Sequence, residues 1–256
     1  MEKLSIYGKK QLEPGKQSFI DCNNFILGVK RNTEGWYLKS FEQGTDESVP
    51  NPEEIEEGMY YHTGKSNTLI LAPALPVKPM VFKGKRITIS PHQRLTFFVK
   101  IPLLMQVYYA KKQDENLLAE FPFHKISDTW FGEPVNGEAA YALDAEHFLD
   151  INAIERDENS AICPINIFNN NDAPLELERL ILRVDQMNLL RFKEQIVTSL
   201  VKLEYKGKDH LSAVNYGFSK ALHGENHEIL AKARNPENKS LLKINFHFIK
   251  NIYRTE

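Results

Sequence analysis

An all-β fold of two sandwich-like halves is predicted by three features: short apolar runs that alternate with a period of two, proline and glycine breaks between them, and a single stretch of helical character near the C-terminus. The clearest run is Leu95-Thr96-Phe97-Phe98-Val99-Lys100-Ile101, which puts Leu95, Phe97, Val99 and Ile101 on one face and Thr96 and Lys100 on the other. Pro91 before it and Pro102 after it set its limits, because proline cannot donate to a strand ladder and restrains the residue before it.

Taken in order, residues 1–20 offer a weak first strand and a turn at Glu13-Pro14-Gly15. Asn24 to Phe41 reads as a hairpin: Phe25, Leu27 and Val29 alternate, Asn32-Thr33-Glu34-Gly35 turns, and Trp36 returns as the anchor of a small core. Gly44 to Gly58 is an acidic, proline-containing loop with one helical turn after Pro52. Leu69 to Pro73 and Lys85 to Ile89 are strands, and the prolines at 73, 76 and 79 between them favour an extended crossing. Leu104 to Tyr109 follows. Thr129-Trp130-Phe131 and Ala139 to Leu143 then flank a turn marked by Asn136-Gly137. The expectation for Leu69 to Leu143 is an antiparallel unit.

Asp144 to Asn159 is rich in charge and reads as the connection between a domain at 1–146 and a domain at 147–256, with a short amphipathic element in His147, Phe148, Ile151 and Ile154. Beyond it, Ile162 to Phe168 and Leu175 to Val184 are strands around an Asn-rich turn, a pattern in keeping with an immunoglobulin-like sandwich. Ile196 to Tyr205 is another strand. Phe218 to Asn235, stopped by Pro236, is the helical candidate, and Leu242 to Phe248 alternates as a last strand.

Composition narrows the function. With 42% hydrophobic and 26% charged residues the chain is that of an ordinary globular protein, and a net charge of −2 without a basic stripe argues against nucleic acid as a partner. No run approaches the roughly 18–20 apolar residues of a membrane span, and the N-terminal residues lack the apolar core of a secretory signal, so a cytoplasmic protein without direct membrane insertion is expected. The two cysteines, Cys22 and Cys163, exclude a disulfide framework and are read as buried free thiols, with a single Cys22–Cys163 bridge as the alternative.

Three places could carry chemistry, each beside a plainer account. His62-Thr63-Gly64-Lys65-Ser66 resembles the end of a phosphate loop, but Met59 stands where its first glycine is required, which leaves a turn. His223 and His227 have the spacing of two metal ligands on one helix face, with a solvated face as the alternative. Trp130, Glu133, Asn136 and Tyr141, with His124 and Asp128 just before them, could line a ligand cleft in which aromatic faces stack a sugar or base and carboxylates fix its orientation. The plainer account makes Trp130 a core residue of a hairpin.

Pro73-x-x-Pro76, Ile101-Pro102 and above all Trp130-Phe131-Gly132-Glu133-Pro134-x-x-Gly137 followed by Tyr141 resemble the pattern of an uncharacterised prokaryotic family, domain of unknown function 432, over about Leu69 to Tyr205. Ala140 departs from the arginine expected there. The resemblance implies no activity and no cofactor. Members are encoded in places near small mechanosensitive channels, so it implies a protein partner, a membrane channel among the candidates. Together these readings favour a non-catalytic interaction or regulatory module that forms homo-oligomers or docks a protein. The alternative is a carbohydrate-binding or carbohydrate-processing sandwich built on Trp130 and Glu133.

Overall fold

The hairpin read from Asn24 to Phe41 lies at the centre of a sheet in the computed structural model, which describes residues 6–42, 50–132, 134–135, 137–192, 194–207, 212–225, 227–236 and 243–244. The chain begins with strands β1 (Gly8–Gln11), β2 (Gln17–Asp21), β3 (Phe25–Arg31), β4 (Gly35–Glu42), β5 (Met59–His62) and β6 (Thr68–Ala74). Two long strands follow, β7 (Met80–Ile89) and β8 (Arg94–Pro102), then β9 (Leu104–Tyr109) and β10 (Leu117–Pro122). Contacts divide the chain into a first unit of 1–74 with 102–125 and a second of 75–101 with 126–256. The division near residue 147 expected from composition is therefore displaced, because strands from both sides of that point share sheets.

The first unit holds two antiparallel sheets, ordered β2-β3-β4-β5 and β1-β6-β9-β10. Pro73 sits in β6 beyond the last residue that pairs with β1, Leu71, so its missing N–H leaves no ladder bond unmade. Leu27, Val29, Trp36, Leu38, Leu69 and Val107 are buried, and the Trp36 indole donates to Ser66 O at 3.2 Å. Trp36 is thus the core anchor its position suggests. A 3-10 turn, Pro52–Glu57, lies within the acidic stretch and drops Ile55 onto Gly28, where a Cβ would come within 2.9 Å of it. Here the hydrogen atom of glycine is what lets the turn close.

The second unit continues with β11 (Asp128–Phe131), β12 (Glu138–Asp144), β13 (His147–Phe148), β14 (Ser160–Asn169), β15 (Leu175–Leu182), β16 (Leu189–Phe192) and β17 (Gln195–Thr198). It ends with β18 (Leu200–Tyr205), β19 (Ser212–Gly217), the single helical turn α1 (Lys220–His223), β20 (Glu228–Ala231) and β21 (Lys243–Ile244). One sheet runs β11-β12-β7-β15, and the other has the path β20-β16-β17-β14-β18-β19-β21 with β8 joined to both β14 and β13. The fold is all-β. Against the antiparallel arrangement expected, β12 pairs with β7 in parallel, and β14 runs parallel to both β17 and β18. Alternation reports which side chains share a face and is blind to the direction of a partner reached by a long crossover.

The helix expected over Phe218 to Asn235 shrinks to α1. Gly224, at φ +73, ends it against the Phe192 ring, and Glu228 to Ala231 then extend along β16 as an edge strand. Of the last strand expected, only Lys243 and Ile244 are described; they pair with Ala213 and Ser212, and the rest lies outside the described residues.

The charged segment 144–159 is packed. Ile154 is buried with Phe98, Ile162, Leu190 and Val197, while Phe148 and Ile151 lie against the same cluster. Asp157 fastens its end: it takes hydrogen bonds from the Lys100 ammonium, from Ser160 Oγ at 2.7 Å and from Asn159 N at 2.9 Å. Burial alone would raise this carboxyl, but those donors outweigh it and hold it below the usual aspartate range. A depressed folded-state value means stability that is present above the unfolded aspartate range and is lost as pH falls through the folded value. Asp157→Asn should therefore be less stable than the parent at neutral pH, with the difference closing in acid; urea midpoints from pH 7 down to pH 2 check this, and a gap that persists at the acid end refutes it.

Candidate functional site

The hairpin β11–β12 presents two faces because successive side chains alternate. Phe131 and Ala140 point inward to Val81 and Ile181. On the same inward face Glu138 makes a bidentate pair with Arg183, at 2.6 and 2.5 Å. Burial would lower this guanidinium, but pairing with Glu138 prevails and raises it above its ordinary value, so the pair clamps the hairpin to the unit.

The outward face carries Asp128 and Trp130, two residues apart on β11, and Tyr141, which stands opposite Asp128. Lys78 joins them: its ammonium bonds Asp128 Oδ1 at 2.8 Å and lies 5.0 Å from the centre of the Tyr141 ring. The hydrogen bond to Asp128 holds Lys78 above the ordinary lysine range. Trp130 is 48% exposed, which overturns its account as a core residue. Trp130→Ala should change the stability of the protein by less than about 1 kcal/mol, as surface substitutions do. Urea unfolding checks it, and a loss of core size, about 3–5 kcal/mol, would contradict the placement.

The structure brings together only part of the expected constellation. Asp128, Trp130 and Tyr141 share one face, whereas Glu133 and Asn136 lie outside the described residues. His124 belongs to the first unit, where its Nδ1 lies 3.0 Å from Asn24 Nδ2. The chain passes from one unit to the other between Lys125 and Ile126.

His223 and His227 do not form a ligand pair. His223 is fully buried; its Nε2–H donates to Thr198 O at 2.9 Å, and its Nδ1 accepts from Ser219 N at 2.8 Å. Both nitrogens are engaged, which leaves no lone pair for a metal. His227 stacks on Phe218 at 5.1 Å with the rings 10° apart. No group of three or more His, Cys, Asp or Glu suited to a metal occurs among the described residues. The thiols of Cys22 and Cys163 are buried and in no disulfide, and burial pushes each up to about 12, which makes them poor nucleophiles. Gly64 occupies a plain turn at φ +70, and its carbonyl accepts from Arg31.

Sequence reasoning missed two exposed edges. β5 ends the first unit's β2-β3-β4-β5 sheet and exposes Met59 and Tyr60; β20 ends its sheet and exposes Ile229. Met59 to His62 sits between an acidic stretch and a turn, and the aromatic pair Tyr60-Tyr61 was the available signal. β11 is likewise the end of its sheet.

A family model described as protein of unknown function (DUF432) matches residues 6–250, a wider span than the stretch that carries the resemblance in sequence. No curated protein and no solved structure matches the chain.

Proposed function

Because the chain belongs to the DUF432 family, whose description assigns no activity, we propose from its surface that it is a non-catalytic interaction module that adds a protein partner at the β11 edge. The observation that carries this is a sheet-end strand with a half-exposed tryptophan, beyond which no further strand of the described residues is paired. Such an edge can template an incoming strand, while Trp130 and the Lys78–Asp128 pair supply side-chain selectivity. Among the described residues no helix is long and apolar enough to cross a membrane.

The test is capture by the tagged protein from the soluble and membrane fractions of its host, with the parent beside Trp130→Glu. A stoichiometric partner held by the parent and lost by the folded variant supports the module. Identical captures, or the protein alone in both, refute it. The exposed Trp130 also favours a second reading, in which its ring stacks on a sugar. Binding to a glycan array that is abolished by Trp130→Ala would establish that reading instead.

A further inference from the structure

In the first unit, the ends of β3, β4 and β10 enclose a cleft of about 560 Å³, within the range of small-molecule sites. Its apolar lining is aromatic: Phe25, Phe41, Phe121 and Phe123, with Phe25 set 6.1 Å from Phe121 and 5.8 Å from Phe123 between ring centres. The rim is built rather than loose. Cys22 N donates to Phe25 O at 2.9 Å across a turn in which Asn23 takes φ +66, and Asn24 Nδ2 donates to Phe123 O at 2.8 Å while lying 3.0 Å from His124 Nδ1. Asparagine tolerates that left-handed backbone better than other side chains with a Cβ. Asn24 thereby fixes the strand end that carries His124 and Lys125.

Opposite charges line this aromatic cleft from different segments of the chain. Glu42 closes β4, and Lys125 follows β10; neither is in an ion pair among the described residues. With Nδ1 taken by the Asn24 amide, the Nε2 of His124 is left to donate. An apolar ligand would leave these groups unanswered, and a simple anion or cation would face one charge of its own sign. A molecule with an apolar ring and both charges satisfies the whole lining.

We propose that this cleft binds a free aromatic amino acid, its ring among Phe25, Phe41 and Phe121, its ammonium on Glu42 and its carboxylate on Lys125 and His124. The site is independent of the β11 edge and stands whether or not a partner docks there.

Calorimetric titration of the full chain with L-phenylalanine, phenylacetate and phenethylamine tests it. L-phenylalanine is expected to bind at least about tenfold more tightly than either analogue, since each lacks one charge-assisted contact. Glu42→Gln should weaken L-phenylalanine by about tenfold and leave phenylacetate unchanged, while Lys125→Met should do so and leave phenethylamine unchanged. Unaltered circular dichroism shows that the variants fold. No heat with L-phenylalanine up to about 10 mM, equal binding of the three probes, or equal weakening of all three by either variant overturns the proposal.

Discussion

Replacing Arg31 by methionine is expected to destabilise the first unit by about 3–5 kcal/mol, although the side chain pairs with no carboxylate among the described residues. Phe25, Leu27 and Val29 are buried along β3, and the same period carries Arg31 inside, where it is fully buried. Its guanidinium, lowered from the ordinary arginine value by burial yet still charged, donates to Gly35 O at 2.7 Å, Gly64 O at 2.9 Å, Asn67 Oδ1 at 3.1 Å and Thr33 O at 3.2 Å, and lies 5.5 Å from the Trp36 ring centre. Methionine fills much of the space of the stem but withdraws the guanidinium donors from all four oxygens, of which Gly35 O keeps the Asn32 N–H at 2.8 Å. Lysine keeps the charge and loses the planar fork, so Arg31→Lys should still cost about 2 kcal/mol. The chain has two tryptophans, so a Trp130→Phe background leaves Trp36 fluorescence to report the first unit during urea unfolding. An unchanged midpoint in Arg31→Met would falsify the assignment.

Asn169→Ala is expected to destabilise the second unit by about 2–4 kcal/mol, for a related reason. Asn169 is fully buried at the end of β14, and its Nδ2 lies within hydrogen-bond reach of Ile89 O at 3.0 Å, Ser90 O at 3.1 Å and Ala173 O at 3.0 Å. Its backbone N–H donates to Gln93 O at 2.9 Å. One amide thus joins the turn after β7 to the turn after β14. Asn169→Asp separates hydrogen bonding from volume, because a carboxylate set against three carbonyls is an acceptor facing acceptors. That variant should be at least as unstable as Asn169→Ala at neutral pH and should recover in acid, where the protonated acid can donate again: a raised folded-state value places its stability on the low-pH side. Thermal unfolding at pH 7 and at pH 4 measures both, and an Asn169→Asp variant as stable as the parent at pH 7 counts against the staple.

Much of the strand content was legible in the sequence, because a period of two survives wherever one face is buried. The two tryptophans show where that legibility stops. Trp36 lies in β4, paired on both sides, and is buried; Trp130 lies in β11, paired on one side, and is half exposed. Each is followed by an aromatic residue, so local pattern does not separate a central strand from an edge. His223 failed in a different way. A four-residue spacing states where two imidazoles sit on a helix, but the helix here is a single turn, and a buried imidazole takes whatever backbone groups are near. Arg31 was hidden because a cation at the end of an apolar alternation reads as the point where the strand meets water.

The order in which the strands are made has a consequence for the living cell. β7 and β8 lie in the chain between β6 and β9, which pair with each other in the first unit, while their own sheet partners include β14 and β15. During translation the earlier unit cannot close until β9 and β10 have emerged. Meanwhile β7, which carries the buried Met80, Val81 and Phe82, must wait for β15, an interval from Met80 to Leu182 on the order of 5–20 s at ordinary elongation rates. Nascent chains stalled between those points would display an apolar strand that lacks β15 and, until Asp144 is made, β12 as well, making them natural clients for a ribosome-associated chaperone.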